Sequence, residues 1–370
     1  MSAHKQRVVI VGGNFAGIVA ASRLSDDYDV TVVDARTDFE WTPNIHELLS
    51  RVKERHSVVL PRADCVTRYG HRFVHDVVTS IESDRSTVTT AGGLTLPFDA
   101  CLIATGGQST TFGTSGADKN ALGLRLVDDA VRIADKLDKL AARKRRASIV
   151  IVGGGVSGIE ALGEILRRRS HGDEFNIHVV ERESRILEQQ PAGLADDAEQ
   201  RFAPFRVTLH TDRTVARVDA RSVILDNGEK LTADLCIWSA GMTLPDFLRD
   251  AGLSTVGDDW LPVEATLQSR HADNVFVAGD CAELPDPVRK QAYYAMDMGA
   301  VAADNIARWL GNRPLRRFCA MPMPMLISFG DITTWLVAGD SVVASPVLAT
   351  GKEAVYQVNM ARLASPREPL

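Results

Sequence analysis

Three glycines carry the first chemical signal in this sequence. Gly153, Gly155 and Gly158 are spaced G-x-G-x-x-G within IVIVGGGVSGIEALGE (149–164), after a β-branched run and before a helical pattern. In that setting the first glycine permits a tight turn, the second lets backbone approach a pyrophosphate, and the third lets helix pack closely on strand. The N–H groups of Val156 and Ser157, opening the helix, then face phosphate charge. A second apolar strand, 176–180, ends on Glu181, followed by Arg182. A carboxylate there can accept hydrogen bonds from both ribose hydroxyls of an adenine nucleotide. The chemistry implied is dinucleotide capture.

An imperfect copy lies near the N-terminus. A strand at 8–11 leads into Gly12, Gly13, Asn14, Phe15, Ala16 and Gly17, then a helix at 18–24 and a strand at 30–33 that ends in Asp34, Ala35 and Arg36. Asp34 stands at the separation from Gly12 expected of a ribose-binding carboxylate. Asn14 replaces the middle glycine, so either the phosphate is displaced or the Asn amide donates to it. Each copy then passes through a small β-meander to an apolar strand closing in a small-residue turn. The first is ACLIATGG (100–107), with Ala104, Thr105 and Gly106; the second is ADLCIWSAG (233–241), with Ala240 and Gly241. A module present twice implies two nucleotides, one in each copy. Further on, NVFVAGDCA (274–282) sets Asp280 in a tight turn after Gly279, and a long helix reads over 289–310.

The elements that must position these groups fit the composition. At 370 residues and 45% hydrophobic content the chain can hold two or three domains with real cores. The net charge of −6 argues against nucleic acid as a partner, and the basic runs at 143–146 and 167–169 read as solvated helix ends. The lead-in MSAHKQR lacks an apolar targeting region, and no apolar run reaches membrane-spanning length, so a cytoplasmic protein is expected. Residues 37–60 read as an aromatic-rich start with an amphipathic helical middle. Short strands are expected at 73–78, 86–90 and 94–96, and an amphipathic helix over 124–144. The tail from 321 opens Met-Pro-Met-Pro-Met and looks strand-rich. Val355, Val358 and Leu363 fall on a loosely helical face near its end, too weak for a firm membrane anchor. Cysteines 65, 101, 236, 281 and 319 have neither disulfide-framework nor metal-ligand spacing, so no metal is expected.

Together these motifs resemble the two-dinucleotide-domain flavoprotein reductases, which share the pyridine nucleotide-disulfide reductase-like fold. Within them the chain looks most like the type II NADH dehydrogenases and the ferroptosis-suppressor (apoptosis-inducing-factor-2-like) quinone reductases, with sulfide:quinone reductases alongside. The resemblance covers 7–310 well and the tail loosely. It implies an α/β fold of two Rossmann-like, three-layer ββα domains, the NAD(P)H domain inserted in the FAD domain, plus a short strand-rich C-terminal segment. The implied boundaries are 1–113 with 243–318 for FAD, 114–242 for NAD(P)H, and 319–370 for a C-terminal interface segment.

The resemblance also assigns roles. VGGNFAG matches the FAD pyrophosphate turn, Asp34 the adenosine-ribose ligand, and Ala104–Gly107 the second flavin signature. Asp280 matches an aspartate bonded to the ribityl chain. Trp41-Thr42-Pro43 stands where the dehydrogenases set an aromatic-x-Pro segment beside the isoalloxazine, which makes Pro43 a flavin-facing residue. Lys290, Gln291 and Ala292 match a K-x-A-Y run of the ferroptosis-suppressor branch. Lys290, near a helix start expected at about Val288, would stabilise the anionic reduced flavin by charge and helix dipole. Glu160 matches a glutamate near the nicotinamide–flavin contact. The K-Q-A-Y run departs from the A-Q-x-A-x-Q-Q pattern of bacterial type II dehydrogenases, which leaves the quinone assignment open. The expected cofactors are FAD and NADH. Glu181 disfavours a 2′-phosphate, while Arg182 and Arg185 leave NADPH open.

The acceptor is expected to be a small quinone-like molecule, or alternatively a ferredoxin- or rubredoxin-type redox protein. A sulfide:quinone reductase-like enzyme and a flavoprotein that senses NADH without turnover are further alternatives. Disulfide reductases of this architecture need a vicinal cysteine pair beside the flavin, and 37–60 has none. Electrons are therefore expected to leave without a thiol relay. His46 and Glu47 could pass protons to an acceptor, although a partly buried helix face is the commoner explanation. Membrane contact is expected to be at most peripheral, and a homodimer is compatible with this reading.

Overall fold

A computed structural model describes residues 5–143, 145–172, 174–255 and 257–365. Met1–His4 of the lead-in and Lys144 of the basic run lie outside them. Two five-stranded parallel sheets organise the chain, each with a buried β-branched strand at its centre. In the first the order is Val275–Val277, Ala100–Ile103, Arg7–Val11, Asp29–Asp34, Arg72–His75. In the second it is Ala121–Gly123, Leu235–Trp238, Ala147–Val152, Phe175–Val180, Val207–His210. Continuous apolar runs such as VVIV and IVIV suit strands covered on both faces. In both sheets the glycine-bearing strand has its successor on one side and the later closing strand on the other. That is the topological switch point where open α/β sheets leave a crevice for ligands. Each sheet also carries a three-stranded antiparallel meander, Val78–Glu82, Thr87–Thr90 and Thr95–Pro97 in one case and Val215–Asp219, Ser222–Leu225 and Lys230–Thr232 in the other.

Three local expectations change. The amphipathic pattern in 37–60 is not an α-helix: Asp38–Glu40 and Val59–Pro61 pair as antiparallel strands around two 3-10 helices, Thr42–Leu48 and Arg55–Ser57. Pro43 at the first turn and the Trp41 Nε1 bond to Asn44 Oδ1 (2.8 Å) hold that tighter winding. The long helix begins at Ala292 rather than 288 or 289, because Gln291 is extended (φ −139°, ψ 149°) and serves as its N-cap. The tail does contain the expected strands, Met325–Phe329, Thr333–Ala338 and Ser341–Ala344, and closes in the helix Leu348–Ala364. The buried face of that helix is Lys352, Tyr356, Met360 and Leu363, while Val358 points outward.

Glycine contacts fix how these pieces meet. Gly299 of the helix Ala292–Leu310 lies against Ala16 of the helix Phe15–Arg23, so closely that a Cβ would run into the Ala16 carbonyl. Gly163 of the helix Val156–Arg167 touches Gly330 in the turn between the first two tail strands in the same manner. Trp335, fully buried, donates from Nε1 to Asp197 Oδ2 at 2.5 Å. The tail sheet is therefore seated on the second module.

Candidate functional site

The two glycine turns are built alike. Gly12 (φ +100°) and Gly153 (φ +103°) occupy the left-handed region that glycine alone adopts without strain. Their N–H groups continue the sheet, to Val33 O and Val180 O, both at 2.8 Å. In each module the next glycine donates to the carboxylate on the neighbouring strand end: Gly13 N to Asp34 Oδ2 at 2.7 Å, and Gly154 N to Glu181 Oε2 at 2.6 Å. The other carboxylate oxygen accepts from backbone two residues on, Arg36 N to Asp34 Oδ1 and Glu183 N to Glu181 Oε1, both at 2.9 Å. At Gly17 and Gly158 a Cβ would strike the carbonyl of the first glycine, so these two serve helix–strand packing. Nothing surrounds the Cβ position of Gly155, which opens on the crevice.

Asn14 answers the question raised by its motif. Its Nδ2 donates to Glu40 O (3.2 Å) and its Oδ1 accepts from Glu40 N (3.1 Å). The amide is thus spent on the strand Asp38–Glu40 rather than on a phosphate, and it ties that strand to the turn. Phe15 packs edge-on against Phe39 and Trp41 beneath it. Arg62, buried, pairs with Asp34 and donates to Arg36 O at 2.6 Å. No local sequence signal marks Arg62, whose partners come from the preceding βαβ unit.

At the C-terminal ends of the first sheet, Ala104–Gly107, Gly279 and Asp280 come together. Ala278 N donates to Ile103 O at 2.9 Å, bringing the VAGDCA turn beside ATGG, and Gly279 turns at φ +81°. Arg125, absent from the sequence reading, bridges them: its Nε donates to Gly107 O (2.9 Å) and its Nη2 lies 3.6 Å from Asp280 Oδ2. Lys290 lies nearby, outside the helix it was expected to open. Its Nζ bonds the Asp280 carbonyl and sits 3.5 Å over the Trp260 ring. Gln291 donates to Met325 Sδ at 3.2 Å, and Ala292 opens the helix. Ala240 and Gly241 close the second module, with Gly241 at φ +81°.

A buried ion cluster joins the 3-10 helix Thr42–Leu48, the helix Val156–Arg167 and the helix Leu348–Ala364. Glu160 Oε1 accepts from Lys352 Nζ at 2.6 Å and from Ser328 N at 3.1 Å. Glu160 Oε2 lies 3.4 Å from His46 Nδ1, and His46 Nε2 lies 3.3 Å from Lys352 Nζ. Burial pushes the Glu160 carboxyl up while Lys352 pulls it back. His46 is driven well below its ordinary range, first by burial and then by the Lys352 charge, so it is neutral. One turn along, burial lifts Glu164 to about 7 against the opposing charge of Arg167, 3.3 Å away, and the Ser50 hydroxyl bonds its Oε2. A second group runs outward: Lys53 Nζ lies 3.4 Å from Glu47 and 2.6 Å from Glu353, over the Tyr356 ring. Glu160 was singled out from the sequence and Lys352 was not.

Arg182 pairs with Glu183 at 2.8 Å, and Arg185 with Glu188 at 2.8 Å and with backbone carbonyls around it. Cys65, Cys101, Cys236 and Cys281 are buried and Cys319 exposed, all unpaired; burial raises the Cys101 thiol and pushes Cys236 up to about 12. Among the described residues no group of three or more His, Cys, Asp or Glu is arranged to hold a metal, and no helix is long and apolar enough to cross a membrane.

Comparison with known proteins matches residues 6–299 to the family model described as pyridine nucleotide-disulphide oxidoreductase. Curated relatives include the demethylphylloquinone reductase NdbB of Synechocystis sp., 27% identical over 96% of this chain and 92% of its own length. The type II NADH:quinone oxidoreductase of Haemophilus influenzae is 24% identical over 95% of this chain and 91% of its own. Among solved structures, NDH2 from Plasmodium falciparum in complex with NADH superposes with a TM-score of 0.87 at 16% identity, covering 96% of this chain and 95% of that one. The sulfide:quinone oxidoreductase of Aquifex aeolicus gives 0.86 at 19% identity, covering 98% and 92%. At these identities the structural matches speak for the fold.

Proposed function

The chain belongs to the pyridine nucleotide-disulphide oxidoreductase family, and we propose that it is an NADH:acceptor oxidoreductase that uses FAD to reduce a quinone-like molecule. The observation that carries this reading is the repeated clasp, Gly13 with Asp34 and Gly154 with Glu181, at the switch points of two parallel sheets. The residues fit both cofactors. Gly155 leaves the front of its turn open, and Asn14, though larger than glycine, folds its amide back onto Glu40. Bound together, NADH and FAD supply the redox chemistry, two electrons and a proton passing as hydride from nicotinamide to flavin.

The protein's part is to hold, orient and stabilise. Residues 1–113 and 243–318 would form the flavin domain, 114–242 the nicotinamide domain and 319–370 the segment that spans them. Gly12–Gly17, Asp34, Ala35, Arg36, Ala104–Gly106, Gly279 and Asp280 would hold FAD, with Arg125 steadying Asp280. Gly153–Gly158, Glu181, Ala240 and Gly241 would hold NADH. The Glu181 carboxylate, together with the occupation of Arg185 by Glu188 and backbone carbonyls, supports NADH over NADPH, while Arg182 is exposed and makes only a surface pair with Glu183. Lys290 would place positive charge near the flavin, oriented by Trp260 and the Asp280 carbonyl rather than by a helix end.

The acceptor assignment rests on the relatives, two of which are named for quinone reduction and match along nearly their whole length. It also rests on the lack of any cysteine in 37–60 to relay electrons as a thiol. Residues outside the family match, the tail strands and the helix Leu348–Ala364, would shape the acceptor side and any peripheral membrane contact. Anaerobic reduction of the purified flavoprotein by NADH, followed by mixing with a panel of quinones and small iron–sulfur proteins, tests this reading. Reoxidation by the iron–sulfur proteins alone would overturn the quinone assignment.

A further inference from the structure

A cationic hollow lies away from both nucleotide turns. It is a surface cavity of about 410 Å³ bounded by the helix Val127–Ala141, the edge strand Ala121–Gly123 and the meander turn at Asp219 and Ala220. Arg132, Lys136 and Lys139 line it from the long helix, and Lys119 lines it from the short helix Ala117–Asn120. Spacings of four and three residues put the three helical cations on one face, where like charges repel. Among the described residues none of the four forms an ion pair.

Three carboxylates share the lining, and each is matched by an arginine from outside it. Asp135 pairs with Arg51 at 2.5 Å, and Asp219 pairs with Arg217 at 3.1 Å. Asp234 pairs with Arg143 at 3.3 Å and with Arg145, and it accepts from Ser148 N at 3.0 Å. These acids leave the four cations uncompensated, so the hollow is positive on a chain whose net charge is −6. A concave wall of one sign concentrates ions of the other.

The cavity is separate from the nucleotide crevices. Leu235 and Cys236 on its floor begin the strand that ends at Trp238 and leads on to Ala240 and Gly241. That strand runs parallel to Ala147–Val152, so the hollow sits at the opposite end of the second sheet from the Gly153 turn.

We propose that this cavity binds a small molecule carrying two or more linked phosphate groups. The inference goes beyond the reaction proposed above and depends on neither the flavin nor the acceptor. Three ammonium groups and one guanidinium around a single hollow can donate to separate phosphate oxygens in charge-assisted bonds. A monoanion would leave most of that charge unmatched. The volume lies within the range of small-ligand sites, and Leu122 and Leu235 give an organic portion an apolar surface.

Titration calorimetry of the purified full chain in magnesium-free buffer tests this, with inorganic triphosphate and ATP as probes. ATP is titrated with NAD+ saturating, so that the Gly153 turn is already occupied. Triphosphate binds wild type at one site, and Lys136→Gln with Lys139→Gln weakens it about tenfold or more. Lys119→Gln, on a different helix, gives an independent loss in the same direction, and an unchanged melting temperature shows that each variant is folded. Tighter binding of ATP than of triphosphate assigns the apolar floor to a nucleoside, and equal binding assigns the site to phosphates alone. Triphosphate that fails to saturate at about 1 mM, or binds the variants as it binds wild type, would overturn the proposal. So would ATP binding that disappears whenever NAD+ is present, together with no binding of triphosphate.

Discussion

Lys352, on the C-terminal helix, donates to Glu160 on the second glycine-rich helix at 2.6 Å, with both side chains buried. The bond joins residues 192 positions apart and makes the tail part of the site. Breaking a buried pair from one side leaves a charge without a partner, which costs about 3–5 kcal/mol. Lys352→Met should therefore lower stability by about 3 kcal/mol in denaturant unfolding. Glu160→Gln in the same chain should recover most of that loss, and a double-mutant cycle with no coupling would contradict the pairing.

The two glycines of one motif should behave differently. Gly158 has no room for a Cβ against the Gly153 carbonyl, whereas the Gly155 Cβ position is open. Gly158→Ala should cost about 1–3 kcal/mol of stability through overpacking. Gly155→Val should leave the melting temperature near wild type and weaken NADH binding, because its side chain would stand in the pyrophosphate's path. Thermal unfolding and NADH titration on both variants separate the two effects.

Glu181 is held by two backbone N–H groups in the geometry expected of a ribose acceptor. Glu181→Gln, losing a charge-assisted hydrogen bond, should raise KM for NADH about tenfold with kcat little changed. A fall in kcat at unchanged KM would place the residue elsewhere in the reaction.

Glu164 gives the stability a pH signature. Its folded value of about 7 lies above that of an unfolded glutamate, so the folded state binds more protons between the two. Stability from this group is present at acid pH and lost as pH rises toward about 7, by up to about 3 kcal/mol. Glu164→Gln, which keeps an oxygen for the Ser50 hydroxyl, should gain on wild type as pH rises from 5 to 8. Parallel melting curves would refute the buried carboxyl's assignment.

Both nucleotide clasps were legible from sequence because each is local: strand, glycines, helix and carboxylate follow one another within a single βαβ unit. The paired ion groups were not. Arg62, Arg125, Trp260 and Lys352 meet their partners across the fold, and no periodicity in their own segments points to those contacts. The 37–60 segment misled because its apolar spacing suits a helix. The Asn14–Glu40 bonds and the pairing of Asp38–Glu40 with Val59–Pro61 instead anchor both of its ends to other structure. Lys290 was expected at a helix start because a helical pattern reads over 289–310. The chain stays extended through Gln291, which lets Lys290 reach Trp260 and Asp280. Asn14 was the departure visible inside a glycine turn, and its role emerged only with its partner, Glu40.

The central claim is that two clasped nucleotides form one electron path, and the absorbance of the purified protein tests it most directly. Under anaerobic conditions the account predicts a flavin spectrum bleached by about one equivalent of NADH and restored by an added quinone. A protein that binds no flavin, or whose bound flavin keeps its colour in excess NADH, would contradict it.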